Sequence, residues 1–156
     1  MMVSSVRRAV GVIDYHTGLG PFGYGEPICG NPPGSAGLAT ALRWYGESLT
    51  SPDLGTSSSV PKTGMQEEMW VRRFGDRVIH VALEYGTYPP ATGLTVLRED
   101  HWLHRYTNVD WNDAETKRIK AAIKRRFYPE TRDWEEMILA RSRQVIRQGL
   151  AGLAAE

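Results

Sequence analysis

The 156-residue chain has one cysteine, almost no net charge and no long apolar run. The single cysteine, Cys29, cannot form a disulfide within the chain. There are 19 basic and 18 acidic residues, so the formal charge of +1 gives no global field that would draw the protein to nucleic acid or to a membrane. No apolar run approaches the roughly 20 residues of a membrane-spanning helix, and Met1–Arg8 is not followed by the apolar region of a signal peptide. We therefore expect a cytoplasmic protein that binds neither nucleic acid nor membrane.

The chain does have enough apolar sequence, 41% of its residues, for a single domain with a hydrophobic core. Two segments, Arg8–Asp14 and Arg77–Tyr85, predict buried strands because they are short, apolar and rich in β-branched residues. Glycine and proline crowd the segment from His16 to Pro33, where we predict neither a helix nor a central strand.

Apolar periodicity and capping residues predict five helices. They run from the N-cap Ser35 to about Leu49, over Gly64–Phe74, over Thr92–His104 with Leu94, Leu97 and His101 on one face, over Asp113–Phe127, and from Thr131 or Asp133 to Gly149. Strands interleaved with helices indicate a layered α/β fold. Because two strands do not make a stable sheet, we expect either further strands in the chain or a larger sheet to which it contributes.

Two short motifs match known site patterns but lack the context that those sites need. The segment Gly18–Gly23 fits the dinucleotide fingerprint G-x-G-x-x-G, yet Pro21 and the prolines that follow exclude the helix that must meet the pyrophosphate. Ser59 and Lys62 fit the S-x-x-K pattern of penicillin-recognising enzymes, but Pro61 opposes the helix that would align them. Both are interpreted as ordinary loops.

Two helical clusters also have an ordinary explanation. Six basic residues between Lys117 and Arg126 could bind phosphate, but with a neutral chain a solvated helix balanced by acidic residues of the next helix is favoured. His101 and His104, three residues apart, could share a metal, but no third ligand stands at a helical spacing. Packing is the favoured explanation for this pair.

His16 and Glu84 are the strongest candidates for chemistry. His16 follows a predicted strand, two residues after Asp14, and Glu84 lies near the end of the other strand within an apolar run. Ligands of open α/β sheets bind at the carboxyl ends of strands. If the two strands are parallel neighbours, His16 and Glu84 open onto one crevice. Ordinary hydrogen bonds at strand ends explain the same residues equally well.

Four segments, in order, resemble one bacterial family. VIDYHTGLGPFGYGE (Val12–Glu26) is similar to its DLHTGLGP segment, and LEYGTYPP (Leu83–Pro90) to its LEFGT-P segment. LREDHWLH (Leu97–His104) and FYPETRDW (Phe127–Trp134) resemble its C-terminal helical signature. This domain-of-unknown-function family is placed in the zinc carboxypeptidase superfamily, near aspartoacylase and succinylglutamate desuccinylase.

The resemblance implies a mixed-sheet, three-layer α/β/α sandwich and a zinc-dependent amide hydrolase, either a metallocarboxypeptidase or an N-acyl amino acid deacylase. His16 would be the third zinc ligand, and Glu84 the general base that activates water. The substrate would be a small peptide or an N-acyl amino acid. Tyr24 and Tyr85, which match no family role, are further candidates to face it. Zinc lowers the pKa of its bound water to about 7, where a carboxylate can take the proton.

The chain departs from this family in lacking the H-x-x-E motif that supplies the first two zinc ligands. We therefore expect it to correspond to the C-terminal part of such a domain, with zinc in the complete enzyme. One histidine does not make a catalytic zinc site, which normally has three protein ligands. The alternatives are a catalytically inactive module that self-associates into a homo-oligomer through an unpaired sheet edge, and another metal site built from His16 with His80, Cys29 or His101.

Overall fold

The computed structural model describes residues 9–156. In this range the chain forms three strands and five α-helices, with short 3₁₀ turns at Gly46–Ser48, Pro52–Leu54 and Gly75–Arg77. The elements are β1 Val10–Phe22, β2 Gly25–Cys29, α1 Ala36–Tyr45, α2 Gln66–Phe74, β3 Val78–Gly86, α3 Pro90–Tyr106, α4 Ala114–Phe127 and α5 Arg132–Ala155. Arg8, the predicted first residue of β1, lies outside the described residues.

The strands form one mixed sheet in the order β1-β3-β2, in which β3 pairs parallel with β1 and antiparallel with β2. The predicted α/β class is confirmed. The glycine- and proline-rich stretch holds no central strand, as predicted, but β2 and the second half of β1 occupy most of it. Proline is tolerated on edge strands, where the missing N–H leaves no central ladder bond unmade. Pro27 is accommodated in this way in β2.

One face of the sheet carries the hydrophobic core. Ile79, Val81 and Leu83 of β3 cluster with side chains of α1 and α5, including the fully buried Trp134 and Val145. Because side chains alternate along a strand, the residues between them, His80, Ala82 and Glu84, belong to the opposite face. The N-terminal end of α2 covers that second face, so helices flank the sheet on both sides.

Helix α5 continues past Gly149, where the sequence predicted its end. A Cβ on Gly149 would lie 2.9 Å from the hydroxyl oxygen of Tyr45, and one on Gly152 would overlap the ring of Trp44. These glycines therefore allow α5 to approach α1 closely. The prediction was wrong because a glycine that serves close packing has the same sequence signature as one that caps a helix.

The other helix boundaries follow the sequence more closely. Ser35 caps α1 as predicted, accepting a hydrogen bond from Leu38 N–H at 3.1 Å, although α1 ends at Tyr45 instead of near Leu49. Helix α3 begins at Pro90, two residues before the predicted Thr92, because proline suits a first helical position.

The predicted apolar stripe of α3 is wrong, because Leu94 and Leu97 are exposed. This surface helix packs against α4, where Lys120 donates to Asp100 at 2.6 Å and Arg118 pairs with Glu115. Most basic side chains of α4 are solvated, as favoured from the sequence, but Arg126 is buried, and the acidic partners lie mostly on α3 and α4 and not on the next helix. Within residues 9–156, no helix is long and apolar enough to span a membrane.

Candidate functional site

Three polar side chains form a row across the sheet near the end of β3. His16 of β1 and Glu26 of β2 are each paired in register with Glu84 of β3. Residues paired across neighbouring strands project from the same face of a sheet. β1 and β3 are parallel neighbours, which is the condition under which the sequence places His16 and Glu84 at one crevice, and both residues line one cavity. Glu26 extends the row.

The chain that follows His16 is held in place by the end of α4. The Thr17 hydroxyl donates to the carbonyl oxygen of Phe127 at 2.7 Å, and the buried Arg126 donates to the Gly18 carbonyl at 3.1 Å and to Thr87. The contacts to Thr17 and Gly18 come from residues more than 100 positions later in the chain. The Arg126 guanidinium also joins β1 to Thr87, the residue that follows β3. The position of His16 is therefore fixed by the C-terminal helices.

The backbone also crosses closely at the end of β3. A Cβ on Gly86 would overlap the carbonyl oxygen of Pro21, so only glycine fits at this position. The crossing brings the Leu19 N–H to Oε1 of Glu84, to which it donates at 3.0 Å.

Glu84 has the environment of a general base. The side chain is buried, and burial raises the pKa of its carboxyl above the ordinary value, although the Leu19 hydrogen bond and the His16 ring act in the opposite direction. A raised carboxyl pKa brings the base closer to neutrality, where proton transfer is most effective. The carboxylate lines a cavity, and it can take a proton there from a bound molecule.

His16 lies at the rim of the same cavity and is 44% exposed. Its Nε2 lies 2.9 Å from Oδ2 of Asp14, two residues earlier on the same face of β1. A carboxylate partner orients an imidazole ring and fixes which nitrogen is protonated. The pair is suited either to a ligand of a metal or to an ordinary surface hydrogen bond.

Glu26 is the functional-site candidate that the sequence did not reveal. It is 4% exposed and accepts hydrogen bonds from the Thr50 hydroxyl at 2.5 Å, from Ser58 N–H at 3.0 Å and from the Ser58 hydroxyl. Burial alone would raise the pKa of this carboxyl, but the hydrogen bonds outweigh it and the pKa is lowered. Glu26 stood beside Pro27 in a stretch interpreted as loop, and only an alternating pattern over Gly25–Cys29 could have indicated a strand.

A cavity of about 230 Å³ extends from this row toward α2 and the loop before it. His80 lines the cavity at 1% exposure, and neither of its ring nitrogens has a hydrogen-bond partner among the described residues. Burial lowers the pKa of the imidazole, so the ring is held neutral. An unpartnered buried polar group in a native fold calls for an explanation.

The two tyrosines predicted to face substrate lie elsewhere. Tyr85 projects into the core on the opposite face, where its hydroxyl donates to the Ile138 carbonyl at 3.1 Å and lies 2.6 Å from the Ser142 hydroxyl. This placement is incompatible with contact to a molecule in the cavity, because the sheet separates the two. Tyr24 is 45% exposed in the turn between β1 and β2 and does not line the cavity.

The loop motifs behave as their sequence context indicated. Gly18–Gly23 lies in β1 and the turn after it, and β2 follows in place of a helix. Ser59 and Lys62 both line the cavity, and Lys62 Nζ lies 2.7 Å from the Ser59 hydroxyl oxygen in an exposed, non-helical loop.

The His104 ring contacts Lys120 and Asp100 on the α3–α4 surface, far in sequence from the crevice.

The described residues do not by themselves fit a catalytic zinc ion. Within residues 9–156, no group of three or more histidine, cysteine, aspartate or glutamate side chains is placed to hold a metal. The alternative site built from His16 with His80, Cys29 or His101 therefore finds no support in the geometry. His16 offers one imidazole ligand, and any further ligands would have to come from outside these residues.

The fold and the crevice together define an α/β protein with a histidine and a buried carboxylate paired on adjoining strands, although His16 lies within β1 and not, as the sequence predicted, after its end. Over residues 2–141 the chain matches the family described as Protein of unknown function (DUF2817), and it belongs to that family. This confirms the expected membership of a domain-of-unknown-function family. No curated protein and no solved structure matches the chain.

Proposed function

We propose that the protein contributes the general-base half of a zinc-dependent amide-bond hydrolase of the metallocarboxypeptidase or N-acyl amino acid deacylase type. The observation that carries the proposal is the in-register pairing of His16 with Glu84 at the mouth of one cavity. The resemblance of the segments around both residues to those of a family placed in the zinc carboxypeptidase superfamily supports it. The substrate would be a small peptide or an N-acyl amino acid.

In this proposal, Glu84 moves the proton. Its carboxylate takes a proton from the water whose oxygen attacks the amide carbonyl, and then gives that proton to the nitrogen of the departing amine as the carbon–nitrogen bond breaks. The Leu19 N–H, at 3.0 Å from Oε1, holds the carboxylate in one orientation and leaves Oε2 for the water. His16, oriented by Asp14, would supply one metal ligand beside it.

The test combines metal analysis with a hydrolysis assay on the zinc-treated full chain, in which a second copy has to supply the ligands that one chain lacks, and it uses a panel of N-acyl amino acids and dipeptides. Glu84→Gln should lower kcat by about 10²–10⁴-fold and leave the zinc content unchanged. His16→Ala should remove both zinc and activity. Glu136→Gln, at an exposed position of α5, is the matched control and should change neither. Normal turnover in the Glu84 variant would sink the proposal.

A second candidate function is a non-catalytic module that acts by self-association. Two observations favour it. Among the described residues, no three side chains are placed to hold a metal ion. The outer edge of β1 has no strand partner in the described sheet. A wild-type chain that holds no zinc and hydrolyses none of the panel would support this candidate against the first.

A further inference from the structure

The cavity beside the His16–Glu84 row is strongly acidic. In the described part of the chain, five carboxylates line it, and Lys62 is the one lysine or arginine among the lining residues. Two of these carboxylates, the exposed Asp53 and the half-buried Glu67, make no ion pair and no side-chain hydrogen bond with any residue of 9–156. A cavity lined mostly by carboxylates favours a positively charged ligand over an anion.

His80 is an independent sign of a missing ligand. Its ring is fully buried, it lines the same cavity, and both of its nitrogens lack partners among the described residues. A Cβ placed on Gly30 would lie 2.6 Å from the Glu67 side chain and 3.1 Å from Nδ1 of His80, so the Glu67 side chain and the His80 imidazole flank the same glycine. A neutral imidazole has one nitrogen that accepts a hydrogen bond.

We propose that this cavity binds the positively charged end of an organic ligand, a guanidinium or an alkylammonium group. Its N–H groups would donate to Glu67 and to the accepting nitrogen of His80, and its charge would offset the neighbouring carboxylates. A bare metal ion is disfavoured, because no three of the described donors are placed to hold one. An anion is disfavoured by the excess of carboxylates.

The cavity adjoins the row of His16 and Glu84, so a cation bound in it would determine which substrates the row can reach. His16 and Glu84 line the cavity side by side on β1 and β3, and His80 lines it four residues before Glu84 on the same face of β3. Resting on the proposed function, the substrate would present its amide to Glu84 while an arginine- or lysine-like side chain enters the cavity. The inference thus assigns a basic side chain to the substrate.

The test compares two probes of nearly the same shape, Nα-acetylarginine and Nα-acetylcitrulline, of which only the first is charged. Binding to the full chain is measured by titration calorimetry. We expect the arginine probe to bind about ten- to a hundredfold more tightly. Glu67→Gln should remove most of that difference without weakening the citrulline probe. Glu47→Gln, on the exposed turn Gly46–Ser48, is the matched control and should preserve it.

Equal affinities for the two probes, or no binding of either, would overturn the proposal, as would a Glu67 variant that behaves like the Glu47 control. His80→Leu, which removes the accepting nitrogen, serves as a second variant and should also reduce the preference for charge. These readouts need neither zinc nor turnover. A preference for the charged probe together with normal hydrolysis by the Glu84→Gln variant would therefore reject the proposed function alone. Equal binding of the two probes together with loss of hydrolysis in that variant would reject the cation site alone.

Discussion

Glu26 and Glu84 are neighbouring carboxylates whose surroundings act on them in opposite directions. Burial raises the pKa of Glu84, and the charge of Glu26 adds to that effect. For Glu26 burial acts in the same direction, but hydrogen bonds from Ser58 and Thr50 outweigh it and the pKa is lowered. Paired titratable groups with divergent pKa values are typical of acid–base sites. The more acidic partner stays ionised, and the less acidic one is left to exchange protons.

Glu26→Gln should destabilise the fold by about 2 kcal/mol at pH 7, because the charge-assisted hydrogen bonds are lost in a buried site. The lowered pKa in the folded state means that this contribution is present above the ordinary value of 4.5 and is lost as the pH falls through the folded pKa. Urea unfolding at pH 7 and at pH 3 measures the difference, which should shrink at the lower pH. A pH-independent difference would contradict this account.

His80→Leu should flatten the dependence of stability on pH. Burial lowers the pKa of His80 in the folded state, so below about 6.5 the unfolded chain binds a proton that the folded chain does not. The wild-type protein therefore loses stability as the pH falls through that range, and the variant loses less. The slope is measured from unfolding free energies between pH 7.5 and 5.5. His101→Leu on α3 is the control and should keep the wild-type slope.

At the scale of elements, helix and strand boundaries were predicted best in segments whose conformation depends mainly on local sequence. Helix α4 begins at Ala114, one residue after the predicted start at Asp113, and ends at Phe127 as predicted, and β3 lies within one residue of its predicted bounds. Strand β2 was missed because its residues are poor strand formers, and only pairing with β3 makes them extended.

The site residues also differ in how far local sequence could predict their positions. His16 and Glu84 were singled out because each stands near the end of a segment that the sequence predicts as a strand, although β1 continues past His16 to Phe22. Asp53 and Glu67 could not be placed at the cavity, because their position depends on how the loop before α2 folds back over the sheet. Tyr85 was misplaced because residue type alone does not say which face of a strand meets the core.

Gly152→Ala should destabilise the protein by about 1–3 kcal/mol, because its Cβ would overlap the ring of Trp44. In an unobstructed helix the same change would stabilise by up to about 1 kcal/mol. Urea unfolding gives the sign directly. In a Trp44→Leu background the cost should disappear, and persistence of the full cost there would show that the contact with Trp44 is not its cause.

At the scale of the whole molecule, the free edge of β1 predicts association. Strand β1 is one outer strand of the described sheet, and Tyr15 on it is 51% exposed. Unpaired edges bind further strands unless charges discourage it. Sedimentation velocity should show a weight-average mass that rises with concentration. Tyr15→Lys should shift the protein toward monomer.

Tyr106→Lys is the control for that experiment, since Tyr106 is a more exposed tyrosine on α3, away from the sheet edge. It should leave the association unchanged. A wild-type chain that remains monomeric at every concentration would contradict the predicted role of the β1 edge.

The crossing of Pro21 over Gly86 has a consequence for recognising distant relatives. Because no side chain fits at Gly86, a protein that builds this crevice with the same crossing needs glycine two positions after its carboxylate. That requirement is steric and does not depend on whether the histidine, the metal or the activity is retained. A search for the Glu-x-Gly pattern at the end of a parallel strand would thus find members that have lost the chemistry but kept the architecture.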